Sequence, residues 1–301
     1  MVVPPRLQPG DTVGVVAPSG PFEPERLRPA LDYLTGRGYR VREGRSLYER
    51  ERYLAGSDSE RASDLNGMFV DPQVRAIFVA RGGYGSARVL DLLNYEGIRR
   101  NPKPLVGFSD TTALQLGIYV HTGLVTYSGV TLCADVTEEG MHAVTEETLW
   151  GALVEGRFPP VVGLQALGRG VAEGRLIGGC LSMVASLVGT PYLPDPAGAL
   201  LFLEDVNEVP YRIDRMLNQL RMTGVFEQAA GVVFGQFEGC EPEREEEGTT
   251  AAVLEALAGT IACPVFCDLP YGHGPGRRVL PVGMQARVDE GGMMVIEDVA
   301  I

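Results

Sequence analysis

The sequence predicts an α/β protein in which an N-terminal doubly wound parallel-sheet domain is followed by a C-terminal mixed α/β domain. Two observations support this fold class. Short apolar runs alternate with helical patterns from residue 12 onward, and the chain of 301 residues is about twice as long as a typical domain. Strands separated by helices require right-handed crossovers, which bury a parallel sheet between two layers of helices.

The N-terminal half contains five predicted strands separated by helical patterns. The strands are predicted at residues 12–17, 39–42, 76–80, 104–108 and 124–127. The helices are predicted at residues 25–35, 57–69, 86–93 and 110–121. Ligands of such sheets bind at the carboxyl ends of the strands, so the turns that follow the strands are the places to search for a site.

The alternation of strand and helix patterns stops between about residues 135 and 170, where acidic residues, glycines and a Pro-Pro pair are frequent. We therefore expect an N-terminal domain at residues 1–135, a connecting segment at 136–170 and a C-terminal domain at 171–301. The predicted strands of the last part are residues 174–177, 200–204, 231–237 and 265–268, with a helix at 211–222. Residues 278–288 and 293–297 resemble a hairpin around a Glu-Gly-Gly turn.

The composition argues against several classes of partner. There are 39 acidic and 26 basic side chains, for a formal charge of −13, whereas nucleic-acid binding needs clustered Lys and Arg. The start of the sequence lacks the apolar region of a signal peptide, and no run is apolar enough to span a membrane. Five scattered cysteines fit a reduced, cytoplasmic protein. We expect no metal, no cofactor, no nucleic acid and no membrane among the partners.

The most informative segment runs from Pro104 to Thr112, where a buried strand ends in a serine that also begins a helix. A nucleophile elbow has this form, because a sharp turn lifts the hydroxyl above the sheet and the helix N-terminus offers free N–H groups to an oxyanion. The usual pattern G-x-S-x-G is incomplete, since Thr111 replaces its second glycine. The alternative is that Ser109 or Asp110 is an N-cap.

A glycine-rich turn, residues 81–86, follows the preceding strand and leads into another helix. Its glycines would let the backbone approach a ligand closely. One interpretation is a phosphate cradle, although Arg88 occupies the third-glycine position of the G-x-G-x-x-G fingerprint. Another is that the N–H of Gly83 stabilises an oxyanion beside the serine. The third is a tight turn without a ligand.

Of the three histidines, only His273 lies in a rigid Gly/Pro loop after an apolar strand, which makes it the candidate base. A carboxylate that follows the strand at 200–204 could orient its imidazole, as the third member of a triad must. Alternation along a strand places Glu204 and Asp205 on opposite sides, so only one can serve, and Glu208 lies beyond the strand. The alternative is that these acids cap the next helix and that the histidine is an ordinary turn residue.

Together these segments resemble the LD-carboxypeptidase family of serine peptidases, which includes the microcin-C self-immunity peptidases. The resemblance covers nearly the whole chain, in order. It rests on residues 10–20 (GDTVGVVAPSG), 80–85 (ARGGYG), 107–112 (GFSDTT), 178–182 (GGCLS), 203–205 (LED), 210–215 (PYRIDR) and 272–273 (GH). One departure is Cys180, where relatives often carry Asn after the glycine pair.

The resemblance implies an active site between two domains and a homodimer. It implies that Ser109 is the nucleophile, Glu204 the orienting carboxylate and His273 the base. The backbone N–H groups of Gly83 and Asp110 become the oxyanion donors.

The implied reaction is acyl transfer through an acyl-enzyme, with no metal. The expected function is a serine L,D-carboxypeptidase that cleaves the bond between the L-centre of a diamino acid and the terminal D-alanine of a murein tetrapeptide. The substrate's terminal carboxylate needs a cation, and Arg81 is a candidate by position. One alternative is a peptidase acting on aminoacyl-nucleotide antibiotics of the microcin-C type. Another is a non-catalytic α/β module that binds an anion at the glycine-rich turn.

Overall fold

The computed structural model describes residues 1–168 and 170–297, which form two β-sheets with helices around them. The strands are β1 (Thr12–Val16), β2 (Arg40–Glu43), β3 (Val74–Val79), β4 (Leu105–Gly107), β5 (Thr126–Ser128), β6 (Gln165–Ala166), β7 (Ala172–Cys180), β8 (Ala199–Val206), β9 (Gly231–Glu238), β10 (Val265–Cys267), β11 (Leu280–Val282), β12 (Gln285–Val288) and β13 (Met294–Ile296).

The helices are α1 (Pro24–Gly36), α2 (Asp58–Val70), α3 (Tyr95–Arg100), α4 (Thr112–Thr122), α5 (Leu132–Asp135), α6 (Ala143–Trp150), α7 (Leu181–Ser186), α8 (Pro210–Met222), α9 (Val225–Gln228) and α10 (Thr250–Ala258). Three short 3₁₀ helices span Ser86–Leu92, Ser109–Thr111 and Glu245–Glu247, and a π-helical turn, Gly151–Glu155, continues α6. Among the helices so described, none is both long and apolar enough to cross a bilayer.

The first sheet has the doubly wound form that the sequence predicts. Its order is β2-β1-β3-β4-β5-β11, and its first five strands are parallel. Apolar side chains of α1 and α6 pack on one face and those of α2 and α4 on the other. The chain passes from β1 to β2 at one edge and returns to β3 on the far side of β1. The carboxyl ends of β1 and β3 therefore flank the point where the strand order reverses, which is where such sheets bind ligands.

The second sheet is mixed, also as predicted. Its order is β13-β12-β7-β8-β9-β10-β6, in which β7 to β10 are parallel and the outer strands antiparallel. The predicted hairpin is partly wrong. Strands β12 and β13 do pair, but β11 leaves this sheet and pairs with β5 of the first. The chain turns between β11 and β12 at Gly283, whose φ of +101° and close contact with the Tyr119 ring both require glycine.

Two predicted helices are corrected. The helix expected at residues 86–93 is a 3₁₀ helix, and the helix expected at 110–121 begins with the 3₁₀ turn before α4. Part of the predicted connecting segment is helical, because α6 packs against the first sheet and stacks Trp150 on Tyr39, with ring centroids 5.3 Å apart. The sequence pattern missed α6, whose few turns give little periodic signal.

Helix α4 joins the two sheets. Its residues from Thr112 to Tyr119 are all buried, as expected for a helix surrounded by protein. One continuous apolar core includes side chains of α4 and of both sheets. At the N-terminus of α4, the Thr112 hydroxyl accepts a hydrogen bond from the Cys180 N–H at the end of β7, at 3.1 Å. The start of this helix is thus fixed against the second sheet.

Candidate active site

Ser109 lies at the sharp turn after β4, as the first residue of the 3₁₀ helix that precedes α4. Its φ of +65° is uncommon for a residue with a side chain and marks the strained strand-to-helix geometry of a nucleophile elbow. The alternative of an N-cap is not what the structure shows, because neither Ser109 nor Asp110 caps with its side chain the helix that follows it in the chain. The Asp110 carboxylate instead accepts hydrogen bonds from the N–H groups of Gly85 and Ser86, at 3.2 and 2.8 Å.

His273 lies within hydrogen-bonding distance of this serine, although the two residues are 164 positions apart in the chain. The imidazole Nε2 is 3.0 Å from the Ser109 Oγ. The ring is largely buried and lies against the Phe108 ring, with centroids 4.6 Å apart. The loop that carries it is closed at its base by a hydrogen bond from the Arg278 N–H to the Pro270 carbonyl, at 2.8 Å. Packing and backbone bonds therefore hold the imidazole beside the serine hydroxyl.

Glu204 is the carboxylate that meets the imidazole. Its side chain is fully buried on β8, and Oε2 is 2.7 Å from the His273 Nδ1. Asp205 points to the other side of the strand and accepts a hydrogen bond from the Ser182 N–H, at 2.7 Å. Glu208 lies beyond the strand and pairs with Arg212. Of the three acids considered from the sequence, the structure brings only Glu204 to the histidine.

Burial determines the electrostatics of this pair. It raises the pKa of the Glu204 carboxyl above its ordinary value, while the hydrogen bond from His273 opposes that rise. Within the described part of the chain, the second carboxylate oxygen, Oε1, is buried without a hydrogen-bond partner. When Glu204 is ionised it can only accept, so Nδ1 carries the proton and Nε2 is left to accept the serine hydroxyl proton.

Gly235 is a site residue that sequence reasoning missed. The pairing of β8 with β9 shifts register between Leu203 and Asp205, next to Glu204. A Cβ on Gly235 would lie 2.2 Å from the Tyr271 carbonyl oxygen and 3.1 Å from the Glu204 Cβ. Only glycine lets the carboxylate and the histidine loop come this close. The available signal was a glycine inside a predicted strand, which often marks a close backbone approach.

The glycine-rich turn after β3 lies beside the serine. A Cβ on Gly82 would be 3.1 Å from the Ser109 Cβ, and Gly83 has a φ of +102°. Arg81 donates a hydrogen bond to the Pro21 carbonyl and lines a cavity of about 450 Å³. Two other guanidinium groups, those of Arg26 and Arg50, line the same cavity.

The arrangement provides an alcohol, an imidazole and a carboxylate in one hydrogen-bonded line, which is the constellation needed for acyl transfer. The glycine-rich turn lies beside the alcohol, since a Cβ on Gly82 would be 3.3 Å from the Ser109 Oγ. Within residues 1–168 and 170–297, no group of three or more His, Cys, Asp or Glu side chains is placed to hold a metal ion.

Comparison with known proteins assigns this chain to a family. Residues 13–129 match the LD-carboxypeptidase N-terminal domain, and residues 173–288 match the LD-carboxypeptidase C-terminal domain. The probable murein peptide carboxypeptidase of Bacillus subtilis is 39% identical over 95% of this chain and 91% of its own. The microcin C7 self-immunity protein MccF of Escherichia coli is 27% identical over 93% and 91%. The crystal structure of muramoyltetrapeptide carboxypeptidase from Oxalobacter formigenes superposes with a TM-score of 0.86 at 29% identity, covering 96% of this chain and 100% of that one.

Proposed function

Because this chain belongs to the LD-carboxypeptidase family of serine peptidases, it is a carboxypeptidase of the hydrolase class, and we propose that it releases the terminal D-alanine of murein tetrapeptides. The bond cleaved joins that D-alanine to the L-centre of a diamino acid. The observation that carries the proposal is the line from Glu204 through His273 to Ser109, with distances of 2.7 and 3.0 Å. The names of the Bacillus and Oxalobacter relatives support the choice of substrate.

In the proposed mechanism His273 takes the Ser109 proton as the hydroxyl attacks the carbonyl carbon before D-alanine. Glu204 stabilises the imidazolium that forms. The imidazolium then protonates the departing amine, the carbon–nitrogen bond breaks, and the acyl group remains on the serine. Water, activated by the same imidazole, attacks the ester and releases the shortened peptide.

We assign the oxyanion hole to the N–H groups of Gly83 and Asp110. The Asp110 N–H belongs to the first turn of a 3₁₀ helix, where backbone donors have no partner within the helix. The Gly83 N–H lies in the turn that approaches the serine through Gly82. Two such donors, fixed before the reaction begins, would stabilise the charge of the tetrahedral intermediate without having to reorient.

Substrate identity is tested by incubating the purified protein with a murein tetrapeptide and, separately, with an aminoacyl-nucleotide of the microcin-C type. We expect D-alanine release from the tetrapeptide, detected by mass spectrometry, and slower or no cleavage of the nucleotide. The second substrate is included because the Escherichia coli microcin C7 self-immunity protein matches most of this chain. Faster cleavage of the nucleotide would replace the proposed substrate while leaving the proposed triad in place.

We also propose that Arg81 binds the terminal carboxylate of the substrate. Its cavity lies between the carboxyl ends of β1 and β3, where the strand order of the first sheet reverses. Three arginines and one carboxylate, Glu23, line the cavity, and Glu23 pairs with Arg50 at 2.6 Å. Positive charge therefore exceeds negative charge there, in a chain whose formal charge is −13. Arg81 is near the serine in the chain fold, since a Cβ on the next residue, Gly82, would lie 3.1 Å from the Ser109 Cβ.

Arg81→Met is expected to raise KM about tenfold with a smaller change in kcat, because a lost charge-assisted contact to a carboxylate weakens substrate binding. The measurement compares the tetrapeptide acid with its C-terminal amide. Wild-type protein should prefer the acid, and Arg81→Met should lose that preference. Arg75→Met, which removes an exposed arginine from β3, the strand that precedes the glycine-rich turn, serves as the control. An unchanged preference for the acid in Arg81→Met would contradict the proposal.

We further propose that the protein is a cytoplasmic homodimer, as the family resemblance implies. The free thiol state of all five cysteines agrees with a reducing compartment. Light scattering on the eluted protein tests the dimer, and a single-chain mass of about 32.4 kDa would contradict it.

A further inference from the structure

Arg277 is a buried cation that the proposed mechanism does not use. Its side chain is 7% exposed, and that of its ionic partner, Asp135, is 10% exposed. Burying a guanidinium removes its hydration, which is costly unless the donors find partners in the protein. The partners of Arg277 therefore indicate what this side chain holds together.

The guanidinium connects the histidine loop to the first sheet. Its Nε donates to the Gly129 carbonyl at 2.7 Å, and its Nη2 pairs with Asp135. Both of these residues follow β5. Its Nη1 faces the carbonyl oxygens of the histidine loop, at 3.4 Å from Gly272, 3.5 Å from His273 and 3.4 Å from Gly274. One rigid, planar group thus contacts both the loop that carries the imidazole and the segment that follows the strand next to β4.

The same guanidinium lies over the Phe108 ring, with its Cζ 4.3 Å from the ring centroid. Phe108 immediately precedes Ser109, and its ring also contacts the His273 imidazole, at 4.6 Å between centroids. Arg277 is therefore in contact with the backbone of the histidine and with the residue next to the serine. It contacts neither the serine hydroxyl nor the imidazole nitrogens.

We propose that Arg277 is a positioning residue that sets the distance and angle between the His273 imidazole and the Ser109 hydroxyl. The proposal rests on the proposed function of these two groups. Without the guanidinium, the three loop carbonyls lose their shared donor and the Phe108 ring loses the cation above it. The imidazole could then shift against the serine, and proton transfer between them depends strongly on their separation. Substrate affinity should change little, because Arg277 is buried beneath the site.

The test measures the rate at which a fluorophosphonate labels Ser109 in the full-length protein, together with kcat and KM for D-alanine release. For Arg277→Met we expect the labelling rate and kcat to fall about 10- to 100-fold, with KM changed by less than about twofold. Arg277→Lys should give an intermediate rate, because an ammonium keeps the charge but cannot reproduce the planar fork. Arg278→Met is the matched control, since that guanidinium bonds to the Pro159 and Pro160 carbonyls instead.

A folded Arg277→Met protein that is labelled at the wild-type rate would overturn the positioning role. So would a rise in KM at unchanged kcat, or an equal loss in Arg278→Met. If Arg277→Met does not fold, Arg277→Lys decides: a rate at least about threefold below wild type supports the role, and the wild-type rate overturns it. Failure to label the wild-type protein at Ser109 would instead contradict the proposed nucleophile.

Discussion

Ser109→Ala and His273→Ala are each expected to lower kcat for D-alanine release by about 10⁴-fold or more. The hydroxyl oxygen and the imidazole Nε2 are 3.0 Å apart, so the proton can pass directly between them. Removing either group abolishes the same step, which means that the double variant should be little slower than either single one. Turnover is measured on the murein tetrapeptide by chromatography of the released D-alanine.

The matched controls remove the same side chains outside the site. Ser186 is exposed, with its hydroxyl bonded to the Met183 carbonyl, and His142 is an exposed helix cap. Ser186→Ala and His142→Ala should keep near wild-type turnover. A fluorophosphonate should label only residue 109, and Ser109→Ala should not be labelled. A loss of less than about tenfold in Ser109→Ala or His273→Ala would reject the assigned roles. A non-catalytic anion-binding module would retain its function in both variants.

The alternation of strands and helices in the first half could be predicted because each strand is a short apolar run with its own flanking turn signals. The sheet that β11 joins could not be predicted from the sequence. Residues 278–288 carry one apolar pattern, and periodicity contains no information on which sheet a strand joins. The chain leaves the first sheet after β11 at Gly283, which has a positive φ and lies against the Tyr119 ring.

The candidate site was predicted in part from the positions of Ser109, Glu204 and His273 at or after strand ends, and in part from the family resemblance. The sequence could not establish that the three converge, because they belong to two different sheets. Their proximity depends on α4, which is buried between the sheets. The sequence also could not predict that Arg277 lies near the site. Arginine is ordinarily exposed, and nothing in the local sequence indicates that this one is buried.

The choice of Glu204 over Asp205 has the second largest expected effect. Glu204→Gln should lower kcat about 10³-fold, because a neutral amide cannot stabilise the imidazolium and its NH₂ group can turn the histidine into the wrong tautomer. The substitution preserves the side-chain volume in a fully buried position, so the effect on packing is small. Turnover of the tetrapeptide is measured beside the melting temperature, which separates lost catalysis from lost stability.

Asp205→Asn is the matched control, because it makes the same chemical change one residue away on the same strand. Its carboxylate accepts hydrogen bonds from the N–H groups of Ser182 and Val206 and does not contact the histidine. An amide oxygen can still accept from one of them, so we expect a lower melting temperature and a kcat reduced by less than about tenfold. If Asp205→Asn lowered kcat more than Glu204→Gln, the carboxylate that orients His273 during the reaction would lie on the other face of β8. The 2.7 Å contact between Glu204 and His273 would then describe a resting arrangement only.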